Sequence, residues 1–493
     1  MIYFAYKSFL YSQNINLKYL KFAFCVIILA SFFIITKLTK FDYISDENYV
    51  WSIIAATFFL LTFIIKDLKI KYSIVSGGVA TLAFFICFFD LGLNGYLSLS
   101  KYSFENINNL ENFEKKNAVI CDYIKETDQD QFYRIEKNYC RTRNDNMLLN
   151  INGVSHYSSC EKHFVKDFLG KLGLDQYGDV YATYGKGGTM LTDALLGIKY
   201  ILSSYKPNDN YKAVKSFDDI TVCKNPNALP LGISASADVT SVDIDTLNRF
   251  DIQNKMISSI VGRNVEILKP YKNIISEYEN LKVSVKKNVK YFRKSNDKLG
   301  AKIKYKFLVE DENPIYVEFI TPKTSSAKVK INGKYMNFDF SSINKPILKI
   351  GEFKEGEEIN IELELLGKRL CMEEVLIYRE DINLLNDVFA KIKEKENRFE
   401  RQSSSHLIGY VNIERNQNNL VFSVPYEKVW NIKVDGKRVD TFRVFDALLG
   451  ITLPPGTHSI DMEYIPVTFY KGLIASVFFD IVGIYLYIFN RRK

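Results

Sequence analysis

Ionisable and aromatic residues stand at several places where chemistry on a membrane-bound or polymeric substrate could occur. Asp480 lies near the middle of an apolar stretch from Gly472 to Asn490. A charge at that depth in a bilayer is costly and marks function by default. The competing account is a protonated Asp hydrogen-bonded to a neighbouring helix, because no Lys or Arg falls within any predicted span. Asp90 and Asn94 are four apart near the outer end of another apolar stretch, so one helix face carries both. They could touch a lipid-linked sugar head group or simply cap the interface. Tyr426 and Trp430 could stack a sugar ring, or belong to a core beside a strand turn. These five residues are the substrate-binding candidates.

Four other groups have weaker claims. His156, Cys160 and His163, with Asp167 beyond, fall at helical spacing, and one helix would bring them to a single face. A zinc ion needs such ligands to converge, but Gly153, Ser155, Ser158 and Ser159 weaken that helix, so no metal site is assigned. Asp42, Asp46 and Glu47 offer carboxylates for general-base work on a hydroxyl, or form a solvated loop. Tyr184-Gly185-Lys186-Gly187-Gly188-Thr189 is glycine-rich without phosphate-loop spacing. Lys282, Lys286, Lys287, Lys290, Arg293, Lys294 and Lys298, interleaved with Tyr291 and Phe292, could hold a polyanion by salt-sensitive contacts or make up a charged sandwich face.

The elements that must position these residues begin with the spans. The apolar runs at about 22–36, 50–65 and 72–95 predict three N-terminal membrane helices, and Gly472 to Asn490 predicts a fourth. Lys7, Lys18 and Lys21 before the first, Lys66 to Lys71 between the second and third, and Arg491-Arg492-Lys493 after the fourth all read as cytoplasmic. No small-residue cleavage site follows the first run, so it reads as retained and not as a signal peptide. The expected protein is therefore multi-pass in a membrane that faces the cytoplasm on one side. Both termini are inside, and one large extracytoplasmic domain lies between the third and fourth spans.

The chain has 493 residues, of which 47% are hydrophobic and 14% aromatic, enough for packed cores in three or four domains. A formal charge of +8 favours anionic partners such as lipid head groups or phosphate-bearing polymers. Nucleic acid does not fit a chain that is mostly outside the cell. Seven cysteines, with Cys121, Cys140, Cys160, Cys223 and Cys371 in the ectodomain, are too few and too scattered for a disulfide framework. No cofactor is evident, and the residues leave a divalent metal undecided.

Within the ectodomain, residues 98–267 mix helical stretches such as Tyr102 to Lys115 with short strands such as Gly197 to Leu202, an α/β segment. From 268 to 380 the period becomes two, as in Ile359, Ile361, Leu363 and Leu365, and predicts a β-sandwich. Lys328 to Ile331 enters a hairpin at Asn332-Gly333. Ile382, Leu385, Val388, Phe389 and Ile392 predict an amphipathic helix bridging 381–400. Strands then resume over 401–468, before the last span and basic tail at 469–493.

Several phrases occur in a particular order: Phe132-Tyr133-Arg134, Asn144-Asp145-Asn146-Met147, Leu195-Leu196-Gly197-Ile198-Lys199-Tyr200 and Ala228-Leu229-Pro230-Leu231-Gly232. After them come Val424-Pro425-Tyr426-Glu427-Lys428-Val429-Trp430, Val434-Asp435-Gly436-Lys437, Leu449-Gly450-Ile451, Pro455-Gly456-Thr457-His458 and Tyr464-Ile465-Pro466. This series resembles the YfhO family of bacterial multi-spanning membrane proteins, from roughly Ser98 to the end. The resemblance implies a glycosyltransferase of the polyprenyl-phosphate-sugar type that decorates teichoic or lipoteichoic acids. Membrane lipids, a polyprenyl-phosphate-linked sugar and an anionic envelope polymer would be its partners. It further implies a catalytic acid in the first outside loop of a long N-terminal helix bundle. Here only three spans precede the ectodomain, and Asp42, Asp46 and Glu47 match a late loop by position. No catalytic residue is carried over. The chain reads as the C-terminal portion of the family, truncated or paired with a separate N-terminal membrane half. The alternative is a non-catalytic, membrane-anchored module that binds glycopolymers.

Overall fold

Strict alternation builds the centre of the strand-rich body. In strand Glu358–Leu365, Ile359, Ile361, Leu363 and Leu365 are buried, and so are Ile303, Tyr305 and Phe307 of the neighbouring strand Lys302–Leu308. The opposite face is a charge ladder. Lys302 meets Glu362 at 3.0 Å, Lys330 meets Glu364 at 2.7 Å and Lys306 meets Glu277 at 2.7 Å. Lys330 and the Tyr335 hydroxyl hold the Glu364 carboxyl down to about 2. The computed structural model describes residues 73–491 apart from 101, 103, 131, 160–161, 178–180, 206–209, 324–325, 339, 341–344 and 395–396. The first two predicted spans, and with them Asp42, Asp46 and Glu47, lie outside the described residues.

The chain divides into two units, Met1–Leu110 and Glu111–Lys493. In the first, the third predicted span is a helix, Ser73–Leu99. In the second, the sandwich of residues 268–380 consists of three sheets around one apolar core. Five strands are ordered 275–279, 302–308, 358–365, 327–331, 334–335, and four are ordered 348–351, 315–320, 374–380, 268–270. Three more, 281–286, 289–294 and 369–372, complete it. The predicted hairpin is present, with Asn332 and Gly333 both at positive φ, as a two-residue turn between right-twisted strands requires.

The segment before the sandwich mixes helices and strands. Helix Ile107–Thr127 buries Ile120, Cys121 and Ile124 under a four-stranded sheet ordered 134–137, 198–203, 220–224, 212–217. The bridging helix is Ile382–Lys393, capped by the Asp381 side chain on Leu384 N at 2.9 Å, and it buries Leu385, Val388 and Phe389. The C-terminal strands form two facing sheets. The boundary drawn at residue 400 is crossed by one of them, because strand Gly232–Ala235 of the earlier segment pairs with Asn419–Pro425. Ile233 and Val421 thereby join a core that also holds the bridging helix.

Strand Gly456–Tyr464 is the centre of the other sheet, paired with 406–413 on one side and 430–434 on the other. After Ile465-Pro466 the chain becomes helix Val467–Arg491. It starts earlier than Gly472 because the apolar pattern continues back through Phe469 and Tyr470. Among the described residues, Val467–Phe489 is the helix long and apolar enough to cross a membrane, with mean hydropathy 2.0.

The glycine-rich stretch has a backbone explanation. Gly187, at φ +91°, ends strand Tyr181–Gly187, and a Cβ there would stand 2.1 Å from the Gly173 carbonyl oxygen. That carbonyl accepts from Gly188 N at 3.0 Å. The glycines therefore allow two chain segments to touch. Gly187→Ala is expected to cost about 2–3 kcal/mol from positive φ and the backbone clash. Gly436→Ala, at φ +77° with open space around it, is expected to cost only about 1 kcal/mol. Urea denaturation of the two variants checks the difference, and equal losses would contradict the close approach.

Candidate functional site

Arg134, from the first of the ordered phrases, has a guanidinium that reaches Leu196 of another phrase and Ser423, the residue just before a third. It donates to the Leu196 carbonyl at 2.5 Å and to the Ser423 hydroxyl at 3.1 Å, and it also holds the Ser423 carbonyl. Ser423 N in turn donates to Leu231 O at 2.8 Å, and Leu229 N to Ala194 O at 3.1 Å. Two residues along, buried Glu136 accepts from Asn146 Nδ2 at 3.1 Å and from Ser155 N at 2.8 Å, while Lys137 Nζ donates to Asn146 Oδ1 at 2.9 Å. Residues 289 positions apart, Arg134 and Ser423, therefore meet at one node with the phrases around Leu196 and Leu229. Paired polar groups in the interior specify a unique arrangement in this way.

From that node the chain leads to the end of the body where the C-terminal helix starts. The loop after strand Asn419–Pro425 carries Tyr426 and Glu427 and ends at Trp430, which opens strand Trp430–Val434. It is tied to the helix entry by Ile465 N donating to Val429 O at 3.1 Å. Trp430 sits opposite Tyr464 in register, with ring centroids 5.0 Å apart and planes at 78°. Its indole N–H donates to Pro425 O at 3.3 Å. The Tyr464 hydroxyl donates to Glu427 Oε2 at 2.9 Å, and Lys162 Nζ reaches the same oxygen at 2.5 Å. Burial, then Glu427, raises the Tyr464 phenol, so it remains a neutral donor. Arg443 lies 4.6 Å from the Phe164 ring centre and 5.3 Å from that of Tyr426. The cluster offers aromatic faces, a carboxylate, an ammonium and a guanidinium close to the helix entry. Sugar C–H groups suit negative π faces, and hydroxyls or phosphates suit the charged groups.

Of the five residues singled out from the sequence, the structure brings together Tyr426 and Trp430, both half-buried and packed on the C-terminal core. Asp90 and Asn94 are on helix Ser73–Leu99 in the other unit, and Asn94 is exposed. Asp480 is midway along helix Val467–Arg491, on its exposed surface. The proposed stripe of His156, Cys160, His163 and Asp167 is not one helix. His156 belongs to a strand pairing with Ala182, its Nδ1 2.8 Å from Val154 O, whereas His163 begins a separate helix and Cys160 lies outside the described residues. Among the described residues no group of His, Cys, Asp and Glu could hold a metal ion. Cys121 and Cys223 are buried free thiols. Sequence reasoning missed Lys162, Phe164 and Arg443, which have no local signal. Glu427 and Tyr464 were visible within the ordered phrases but were not assigned a role.

The family model described as the bacterial membrane protein YfhO matches residues 1–476. The chain belongs to the YfhO family. The match takes in the N-terminal apolar runs, so kinship is not confined to the part after Ser98 that the phrases cover. This YfhO-family chain has no match among curated proteins. Among solved structures, a cycloisomaltooligosaccharide glucanotransferase from Paenibacillus sp., complexed with cycloisomaltoheptaose, is 9% identical over 39% of this chain and 46% of that one, with TM-score 0.17. The chain thus spans about half the length of that enzyme. A conserved protein of unknown function from Pseudomonas aeruginosa PAO1 is 7% identical over 40% of this chain and 94% of that one, with TM-score 0.12.

Proposed function

We propose that this YfhO-family membrane protein takes part in glycosylating a cell-envelope polymer, teichoic or lipoteichoic acid, with a sugar carried on polyprenyl phosphate. The ectodomain faces outward and engages the acceptor polymer. What supports this reading, beside family membership, is the Tyr426, Trp430, Tyr464, Glu427 and Lys162 cluster, in which Tyr464 is separated from the start of an apolar helix only by Ile465 and Pro466. A lipid-linked sugar head and an acceptor chain would meet at that level. The basic end, Arg491-Arg492-Lys493, supports a cytoplasmic C-terminus.

The test is the sugar content of teichoic acid purified from cells with and without this gene. Loss of the sugar on deletion, restored by the wild-type gene and only partly by Trp430→Ala, is the expected result. Unchanged sugar content overturns the glycosylation role and leaves an anchored module that binds glycopolymers. A tag after Lys493 that is accessible on intact cells would overturn the orientation.

A further inference from the structure

We infer that the outer face of the sheet formed by 281–286, 289–294 and 369–372 is a docking surface for a linear polyanion with repeated phosphate groups. Lys282 is paired in register with Arg293, and Arg293 with Arg369, so three cations stand in one row across three adjacent strands. Directly paired residues point to the same face. The next pairs, Val283 with Phe292 and Phe292 with Leu370, point the other way, and Phe292 and Leu370 are buried in the sandwich core. Lys282, Arg293 and Arg369 are all exposed, and Lys286 lies four residues beyond Lys282 on the same face.

Like charges directly opposite one another destabilise a sheet, and strand neighbours are only about 5 Å apart. On the neighbouring five-stranded sheet, Lys302, Lys306 and Lys330 are matched by Glu362, Glu277 and Glu364. In this row Lys282, Arg293 and Arg369 have no ion pair among the described residues. Asp297, on the adjoining turn and close enough to feel Arg293 and Lys294, is ion-paired with Lys368 at 2.7 Å. The uncompensated row fits an external anion. Arginine forks take phosphate oxygens in pairs, and Tyr291, exposed in the neighbouring row, can lie against the organic part of the repeat. The sheet belongs to a core separate from the one under strand Gly456–Tyr464, which leads into the apolar helix. A single line of cations across three strands matches the repeated charges of a polymer, which is the occupant inferred. The inference rests on the proposed function for the identity of that polymer.

The experiment uses the full chain in nanodiscs of neutral phosphatidylcholine, with a poly(glycerol phosphate) chain as probe and phosphatidylglycerol vesicles as a second arm. Wild-type affinity for the polymer is expected to fall at least roughly tenfold between about 50 mM and about 300 mM NaCl, as counterion release requires. The triple change Lys282→Gln, Arg293→Gln, Arg369→Gln is expected to weaken binding at low salt about tenfold and to flatten the salt dependence. Lys437→Gln with Arg438→Gln, on another exposed hairpin, leaves both unchanged. Relief of repulsion leaves the melting temperature of the triple variant level or raised, and Arg293→Gln alone gives a smaller loss of the same kind. Equal binding by wild type and triple variant, equal loss in the control, or a loss confined to the vesicle arm would each overturn the proposal. The sugar assay reads a different quantity, so either result can fail while the other holds.

Discussion

Glu380→Ala is expected to lower the stability of the body by about 3–5 kcal/mol, as removal of a fully bonded buried carboxylate does. Glu380 is the last residue of strand Glu374–Glu380 and has no exposed surface. Its oxygens accept from Met190 N at 3.1 Å, from Leu191 N at 2.6 Å and from the Tyr316 hydroxyl. Met190 and Leu191 open a helix of the α/β segment whose cap, Thr189, forms a reciprocal pair with Thr192. One carboxylate therefore ties the sandwich to the segment before it. Truncation strands two buried N–H groups and a phenol, each costing about 1–3 kcal/mol, and leaves a cavity. Burial pushes the Glu380 carboxyl upward, which offsets part of this gain. Glu380→Gln keeps the shape but turns an amide N–H₂ toward a donor, so a smaller loss of about 1–2 kcal/mol is expected. Urea unfolding of both variants measures these values. A Glu380→Ala protein as stable as wild type would show that the clamp contributes nothing.

The second large effect is a pH dependence set by Asp193. Its carboxyl is buried and accepts from the Tyr184 hydroxyl at 2.9 Å and from the Tyr211 hydroxyl. Burial raises it from 3.8 to about 7, with the phenols pulling down and Glu380 and Glu136 pushing up. In the folded protein the group keeps its proton up to about 7, whereas in the unfolded chain it loses it near 3.8. The folded state therefore binds more protons between those values, and stability falls as pH rises through the window. The contribution is complete below the lower value. At about 1.4 kcal/mol per unit it amounts to about 4 kcal/mol lost by neutral pH. Subtracting Asp193→Asn isolates it, because Asn does not titrate. The stability difference between wild type and Asp193→Asn is expected to decline from about pH 4 to about pH 7 and to level off above. A difference that does not vary with pH would mean that Asp193 is ionised in the fold.

Local signals gave away much of the fold. The two-residue period of Ile359 to Leu365 predicts a strand with one buried face, which is observed. Asn332-Gly333 and Asp435-Gly436 are turns because both residues of each pair take positive φ. The helix over Ile382–Lys393 follows from apolar spacing and its Asp381 cap. What stayed hidden depends on distant partners. Nothing near Gly232–Ala235 announces that it pairs with a strand starting at Asn419. Lys287 and Asn288 turn a hairpin at positive φ, which Lys seldom does, so that region looked only like a run of charge. The His156 to Asp167 spacing suggested a helix, but His156 had a strand partner in Ala182. At the candidate site, aromatic type pointed to Tyr426 and Trp430. Arg443, Lys162 and Phe164 reach them only through the fold.

Strand Gly456–Tyr464 is held on both edges and gives way to the C-terminal helix after only Ile465 and Pro466. Proline fixes one of the few free rotations in so short a joint. A body mounted on a membrane helix in this manner cannot swing as it would on a long tether. It travels sideways with the lipid, at a height set by that joint.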